Sequence, residues 1–150
     1  MQSARIWFQQ TDPPITLASV SEYLIALGTQ IEETSWSLGA FVVPQIYILE
    51  PVPFLLQINN DDYVYEEAKE FSKHEIMLDR FSIKLASCDA RLEIGDVSEN
   101  SAIIDQETFV FESWTGFDPE LPQAGKLLKL LARRFHGVLE DNVNGTWWSS

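Results

Sequence analysis

Cysteine is almost missing from this chain: one residue, Cys88, stands in 150. That excludes an internal disulfide and fits a reducing, cytoplasmic setting. Histidine is nearly as scarce. His74 and His136 are the only two, far apart in sequence, so no His/Cys cluster with metal-ligand spacing exists. Gly-rich phosphate loops, a dinucleotide fingerprint and a Gly-x-Ser-x-Gly elbow are all absent. Long apolar runs are missing too. The greasiest stretch, Phe41 to Ile58, is interrupted by Pro44, Glu50, Pro51 and Pro53, short of the roughly 18 residues a membrane span needs. The opening Met-Gln-Ser-Ala-Arg-Ile-Trp lacks the apolar core of a signal peptide.

Bases are the most informative shortage. Ten Lys and Arg face 23 Asp and Glu, for a net charge of −13. Phosphate recognition needs clustered cations, so a nucleic-acid or anionic-membrane binder is disfavoured. A basic protein partner, steered by the acidic field, is the matching expectation. The charge is polarised: between Asp61 and Glu112 lie 14 of the 23 acids and five of the ten bases. Solvation alone would also account for such a surplus.

What is present reads as one α+β domain. The stretch from Asp118 to Trp148 is clearest. Asp118 suits an N-cap, Pro119 the first helical position, and Glu120 the positive end of the helix dipole. Ala124, Leu127, Leu128, Leu131 and Phe135 share one helical face, with Lys126, Lys129, Arg133 and Arg134 off it. Arg133, Arg134 and His136 crowd the last turn, and Gly137 is expected at C′. Val138 to Glu140 and Thr146 to Trp148 then read as strands around an Asn144-Gly145 turn.

Earlier, Ala4 to Gln10 predicts a strand ended by Asp12-Pro13-Pro14. Val20, Leu24 and Leu27 predict a short helix capped by Thr16 or Ser19 and closed by Gly28. Phe41 to Val43, Gln45 to Glu50 and Phe54 to Ile58 are strand-like, with a bulge or an edge strand expected at Pro44. Asn59 to Asp62 is a turn leading into a helix. Tyr63 to Ala86 favours helix through most of its length, against a helix ending near His74 followed by a hairpin. Ala90, Leu92 and Ile94 alternate with Arg91 and Glu93, the pattern of a half-buried strand. Ser98 to Ser101 reads as a loop and Thr108 to Trp114 as a strand. The sum is a mainly antiparallel sheet with about three helices packed on one side.

No catalytic constellation emerges. Cys88 has Lys84 and Arg91 nearby, but Asp89 and Glu93 offset them, so an inert thiol is expected. Glu140 and Asp141 point to opposite faces if extended, which argues against an acid–base pair. No cofactor-binding, catalytic or metal residue is assigned. The candidates are instead partner-binding: Asp61, Asp62, Glu66, Glu67 and Glu70 as an acidic surface, and Trp147 or Trp148 as an exposed aromatic anchor.

The segment from Ala90-Arg91-Leu92-Glu93-Ile94, through Leu131 to Asp141, to Gly145-Thr146-Trp147-Trp148 resembles small bacterial immunity proteins of polymorphic-toxin systems. That resemblance implies a cytoplasmic inhibitor that binds and blocks a cognate toxin, with no catalytic residues to carry over. Two other classes compete. A DNA mimic would need carboxylates in two rows at phosphate-like spacing. A small-ligand or enzyme domain would need a pocket assembled from distant segments.

Overall fold

The computed structural model describes residues 2–50, 54–73, 82–96, 123–141 and 146–149. Its elements are β1 (Gln2–Phe8), α1 (Leu17–Ala26), β2 (Gln30–Leu38), β3 (Phe41–Glu50), β4 (Phe54–Asn59), α2 (Asp62–Ser72), α3 (Ser82–Ala86), β5 (Ala90–Asp96), α4 (Gln123–Arg134), β6 (Val138–Asp141) and β7 (Thr146–Ser149). The strands form one sheet in the order β2-β3-β4-β5-β1-β6-β7, every pairing antiparallel. The α+β class and single domain expected from the pattern are what the chain adopts.

Alternation along each strand sends side chains to two faces. One face is apolar: Ala4, Ile6, Phe8, Ala90, Leu92, Ile94, Ile46, Ile48, Leu56, Leu139 and Trp148 form a single cluster. Val20 and Leu24 of α1 and Leu127, Leu128, Leu131 and Ala132 of α4 seal it. The opposite face carries Trp7, on which Val64 and Ala68 of α2, Leu85 of α3 and Cys88 pack. The helices therefore divide between both faces rather than lying on one. Apolar stripes on short amphipathic helices do not say which side of a sheet will receive them.

Helix ends follow local chemistry. Thr16 and Ser19 make a reciprocal capping box at the start of α1. Gly28, at φ +84°, closes it: its N–H donates to Ile25 O and that of Thr29 to Leu24 O. At the end of α4 the residue in the left-handed region is His136, at φ 54°. Its N–H donates to Arg133 O, and that of Gly137 to Ala132 O. His136 is thus C′ and Gly137 is C″, one place later than expected. Gly137 is required for space: a Cβ there would lie 2.6 Å from Trp7 O and 2.9 Å from Ile6 Cγ2.

Three further expectations change. Pro44 pairs in register with Ser35 and the irregularity falls at Gln30/Ile31 instead. Because β4 meets β3 only over Ile46–Ile48, Pro44 stands where β3 has one open side, as its missing N–H demands. Next, α2 ends at Ser72 with Lys73 as C-cap, while Ser82–Ala86 is a separate short helix. The helix end near His74 in the second reading is what the chain adopts, but Ser82–Ala86 is helical and not a strand of a hairpin. Lastly, β5 is buried on both faces, Arg91 and Glu93 included. It is a central strand whose second face α2 covers, so the half-buried strand expected from the alternation is buried from Ala90 to Ile94. The expected Asp118 cap, Ser98–Ser101 loop, Thr108–Trp114 strand and Asn144-Gly145 turn lie outside the described residues.

Candidate functional site

The sheet face beneath α2 carries a polar ladder. Register places Gln57, Glu93, Arg5, Glu140 and Trp147 side by side across β4, β5, β1, β6 and β7. Asn59, Arg91 and Trp7 form the next row. Arg91 Nε donates to Glu93 Oε1 at 2.9 Å, and its Nη1 donates to Glu67 Oε2 of α2 at 2.6 Å. Glu93 also accepts from Gln57 Nε2 and Asn59 Nδ2, both at 2.8 Å. Gln57 in turn accepts from Gln45 Nε2 at 2.9 Å. Burial alone would raise the Glu93 carboxyl, but the bonds from Asn59, Gln57 and Arg91 outweigh it and hold it below its ordinary value. For Arg91 the same balance runs the other way: burial would lower it, and Glu67 and Glu93 raise it.

Beside this set, Arg5 Nη2 donates to Glu140 Oε2 at 3.1 Å, and its Nε makes a 2.8 Å ion contact with Oε1. Trp7 Nε1 donates to the same Oε1 at 2.9 Å. The Trp7 ring has the Arg91 guanidinium 4.9 Å and the Arg5 guanidinium 5.5 Å from its centroid, both within cation–π range. Phe71 of α2 meets Trp7 edge-on and leads to Trp147. This network clamps α2 to the sheet. Arg5 grips Glu140 through two nitrogens and Arg91 bridges Glu93 and Glu67, so the network holds structure rather than reactive groups.

The open part of the site is the N-terminal end of α2. A cavity of about 500 Å³ is lined by Gln10, Asn60, Asp61, Asp62, Tyr65, Glu66 and Asp89. Four of those seven are carboxylates and none is basic. Asp61 is the N-cap, but its carboxylate makes no capping bond. Its N–H instead donates to Asn59 Oδ1 at 3.1 Å. The floor is fixed: Asp89 Oδ1 accepts from Gln10 N at 2.8 Å, and the Gln10 side chain exchanges bonds with the Ile15 backbone. Asp62, Glu66 and Glu70 continue from this cavity along α2, four residues apart and about 6 Å apart along the axis. All three are exposed. Like charges at i,i+4 oppose helix formation by about 0.2–0.5 kcal/mol per pair, so the row persists against local helix energetics.

Of the sequence candidates, Asp61, Asp62 and Glu66 come together in the cavity, with Glu70 one turn beyond. Glu67 turns the other way, into the ion pair with Arg91. Trp148 is 4% exposed, within the apolar cluster beneath α4, and Lys129 Nζ lies 5.6 Å from its ring centroid. It is not available as an anchor. Trp147 is half-buried against Phe71. Adjacent strand residues face opposite ways, and here helices cover both sides. The exposed aromatics on α2 are instead Tyr63, at 46%, and Tyr65, at 38%. Tyr63 is tied to Asn59 by a short hydrogen bond. Tyr65 carries Lys69 Nζ 4.3 Å from its ring centroid, and a side-chain hydrogen bond with Tyr65 raises the Lys69 ammonium from its ordinary value. Tyr63 follows Asp62 and Tyr65 precedes Glu66 in sequence, and that adjacency was the signal available for finding them.

Other chemistry is limited. Cys88 is buried, its Sγ 3.3 Å from Lys84 O, and burial followed by Asp89 pushes the thiol up to about 12, the inert state expected. Among the described residues no three His, Cys, Asp or Glu side chains are placed to hold a metal ion, and no helix is long and apolar enough to cross a membrane. No family model, curated protein or solved structure matches the chain.

Proposed function

We propose that this chain is a cytoplasmic protein-binding module of the immunity type, which docks a basic toxin domain on the acidic face of α2 and so blocks it. The observation that carries this reading is the Asp62–Glu66–Glu70 row running out of a cavity that Asp61 and Asp89 also line. Tyr65, at the edge of that cavity, takes the anchoring role first considered for the tryptophans. The interior also sharpens the field. Arg5 and Arg91 are spent on internal ion pairs, so neither softens the Asp62–Glu66–Glu70 row. A rigid acidic floor needs no reordering to receive a Lys or Arg side chain, which favours binding.

Calorimetric titration with basic secreted toxin domains, at low and high salt, tests the reading. Binding that weakens steeply with added salt is expected. Absence of binding at every salt concentration counts against it.

A further inference from the structure

The opposite end of the sheet has a different character. Between Glu33 and Glu50 the chain carries no charged residue, in a protein of net charge −13. That run builds most of the β2–β3 hairpin. Among the described residues, the tip half of β3 pairs only with β2, because β4 joins at Ile46. Phe41 is 76% exposed and Val42 64%. As consecutive strand residues they make both sides of the tip apolar. Ile25 and Leu27, at the C-terminal end of α1, are exposed as well. Among the described residues, four of the six exposed large hydrophobics therefore lie on the tip of β3 and at the C-terminal end of α1; the other two are the tyrosines of α2. Among the described residues β2 is also the outermost strand, exposed from Glu32 to Ser35. Its outward N–H and C=O groups form a template for another strand.

We infer that this edge is a self-association surface, on which β2 pairs antiparallel with β2 of a second copy about a twofold axis. Charge selects the occupant. Two bodies of −13 repel wherever acids face one another, and the charge-free hairpin half that follows Glu33 is where they meet at least Coulomb cost. A basic partner would call for acids at the hairpin tip, where none stands. Charge also narrows the register. An axis through Ser35 places Glu33 opposite Ser37 and Glu32 opposite Leu38, whereas an axis at Glu32 or Glu33 would oppose like charges, which is destabilising. Such a pairing is isologous and closed, so it stops at two copies.

Sedimentation of the full chain over a range of concentrations, at low and high salt, tests this. A species of twice the monomer mass is expected, tightening as salt screens the mutual repulsion. Phe41→Asp and Ser35→Glu should each weaken it by at least about tenfold, with unchanged circular dichroism and melting because both side chains are exposed. Under mild oxidation, Ser35→Cys should cross-link the copies, since the buried Cys88 does not compete. A monomer at every concentration and salt, or a dimer indifferent to both substitutions, would overturn the inference.

Discussion

His136 and Gly137 divide a task that one glycine usually performs. His136 holds the left-handed conformation at φ 54°, and Gly137 supplies the room that Trp7 and Ile6 require. Replacing His136 by Gly should therefore stabilise the fold by about 0.5–1 kcal/mol. Gly137→Ala should cost about 1–3 kcal/mol, since the neighbour it meets is backbone. Urea denaturation of the two variants checks both signs. Lys129 makes a second prediction at this scale. Burial pushes its ammonium down from 10.5 to about 8. Between those values the unfolded chain keeps the proton and the folded chain releases it, so stability rises with pH across that window. Lys129→Met should flatten that rise when denaturation midpoints are measured from about pH 7 to 10. The helical wheel left Lys129 outside the apolar stripe, yet it is 2% exposed. A lysine stem can follow an apolar surface, so periodicity does not place it.

At the scale of elements, α2 is the critical piece, because it bears acids outward and is clamped inward. Arg91 is the centre of the clamp. Arg91→Met should cost about 3–5 kcal/mol by leaving Glu93 buried without its counter-charge, and adding Glu93→Gln should recover most of it. Equilibrium denaturation of the single and double variants measures this. Glu93 also contributes on the acid side. Its folded value lies below its unfolded one, so its stabilisation is present above the ordinary carboxylate range and is lost as pH falls through the folded value. Native protein should lose stability on acidification through that range, and Glu93→Gln should lose less. How much of this was legible in the sequence differs by element. Thr16, Gly28, Pro44 and the Leu127–Leu131 face announce their roles locally, through caps, open edges and period. Arg91 and Glu93 do not, because a charged residue two places from another reads as solvent-facing until a helix covers it. The Glu67 turn toward Arg91 and the burial of Trp148 depend on partners far away in the chain.

For the molecule as a whole, topology places the first strand at the centre. β1 lies between β5 and β6, strands that follow long after it, so the middle of the sheet closes through non-local pairs. The result separates two surfaces: an acidic, tyrosine-bearing face on α2 and the β2–β3 hairpin, whose tip is charge-free and apolar. The acidic surplus was plain from composition; its concentration on one helix beside a cavity required the fold. The central claim is that the row on α2 serves binding at some cost to the helix, rather than solubility. Its most direct test compares Glu66→Lys with Glu33→Lys, an equal change of charge at another exposed position, for melting temperature and for affinity toward a basic toxin domain. Glu66→Lys replaces two like-charge i,i+4 pairs by favourable ones and gives up the attraction between Glu66 and Lys69, so its melting temperature should change little. Its affinity should fall by at least about tenfold, while Glu33→Lys changes affinity little. Equal losses of affinity in the two variants would contradict the account.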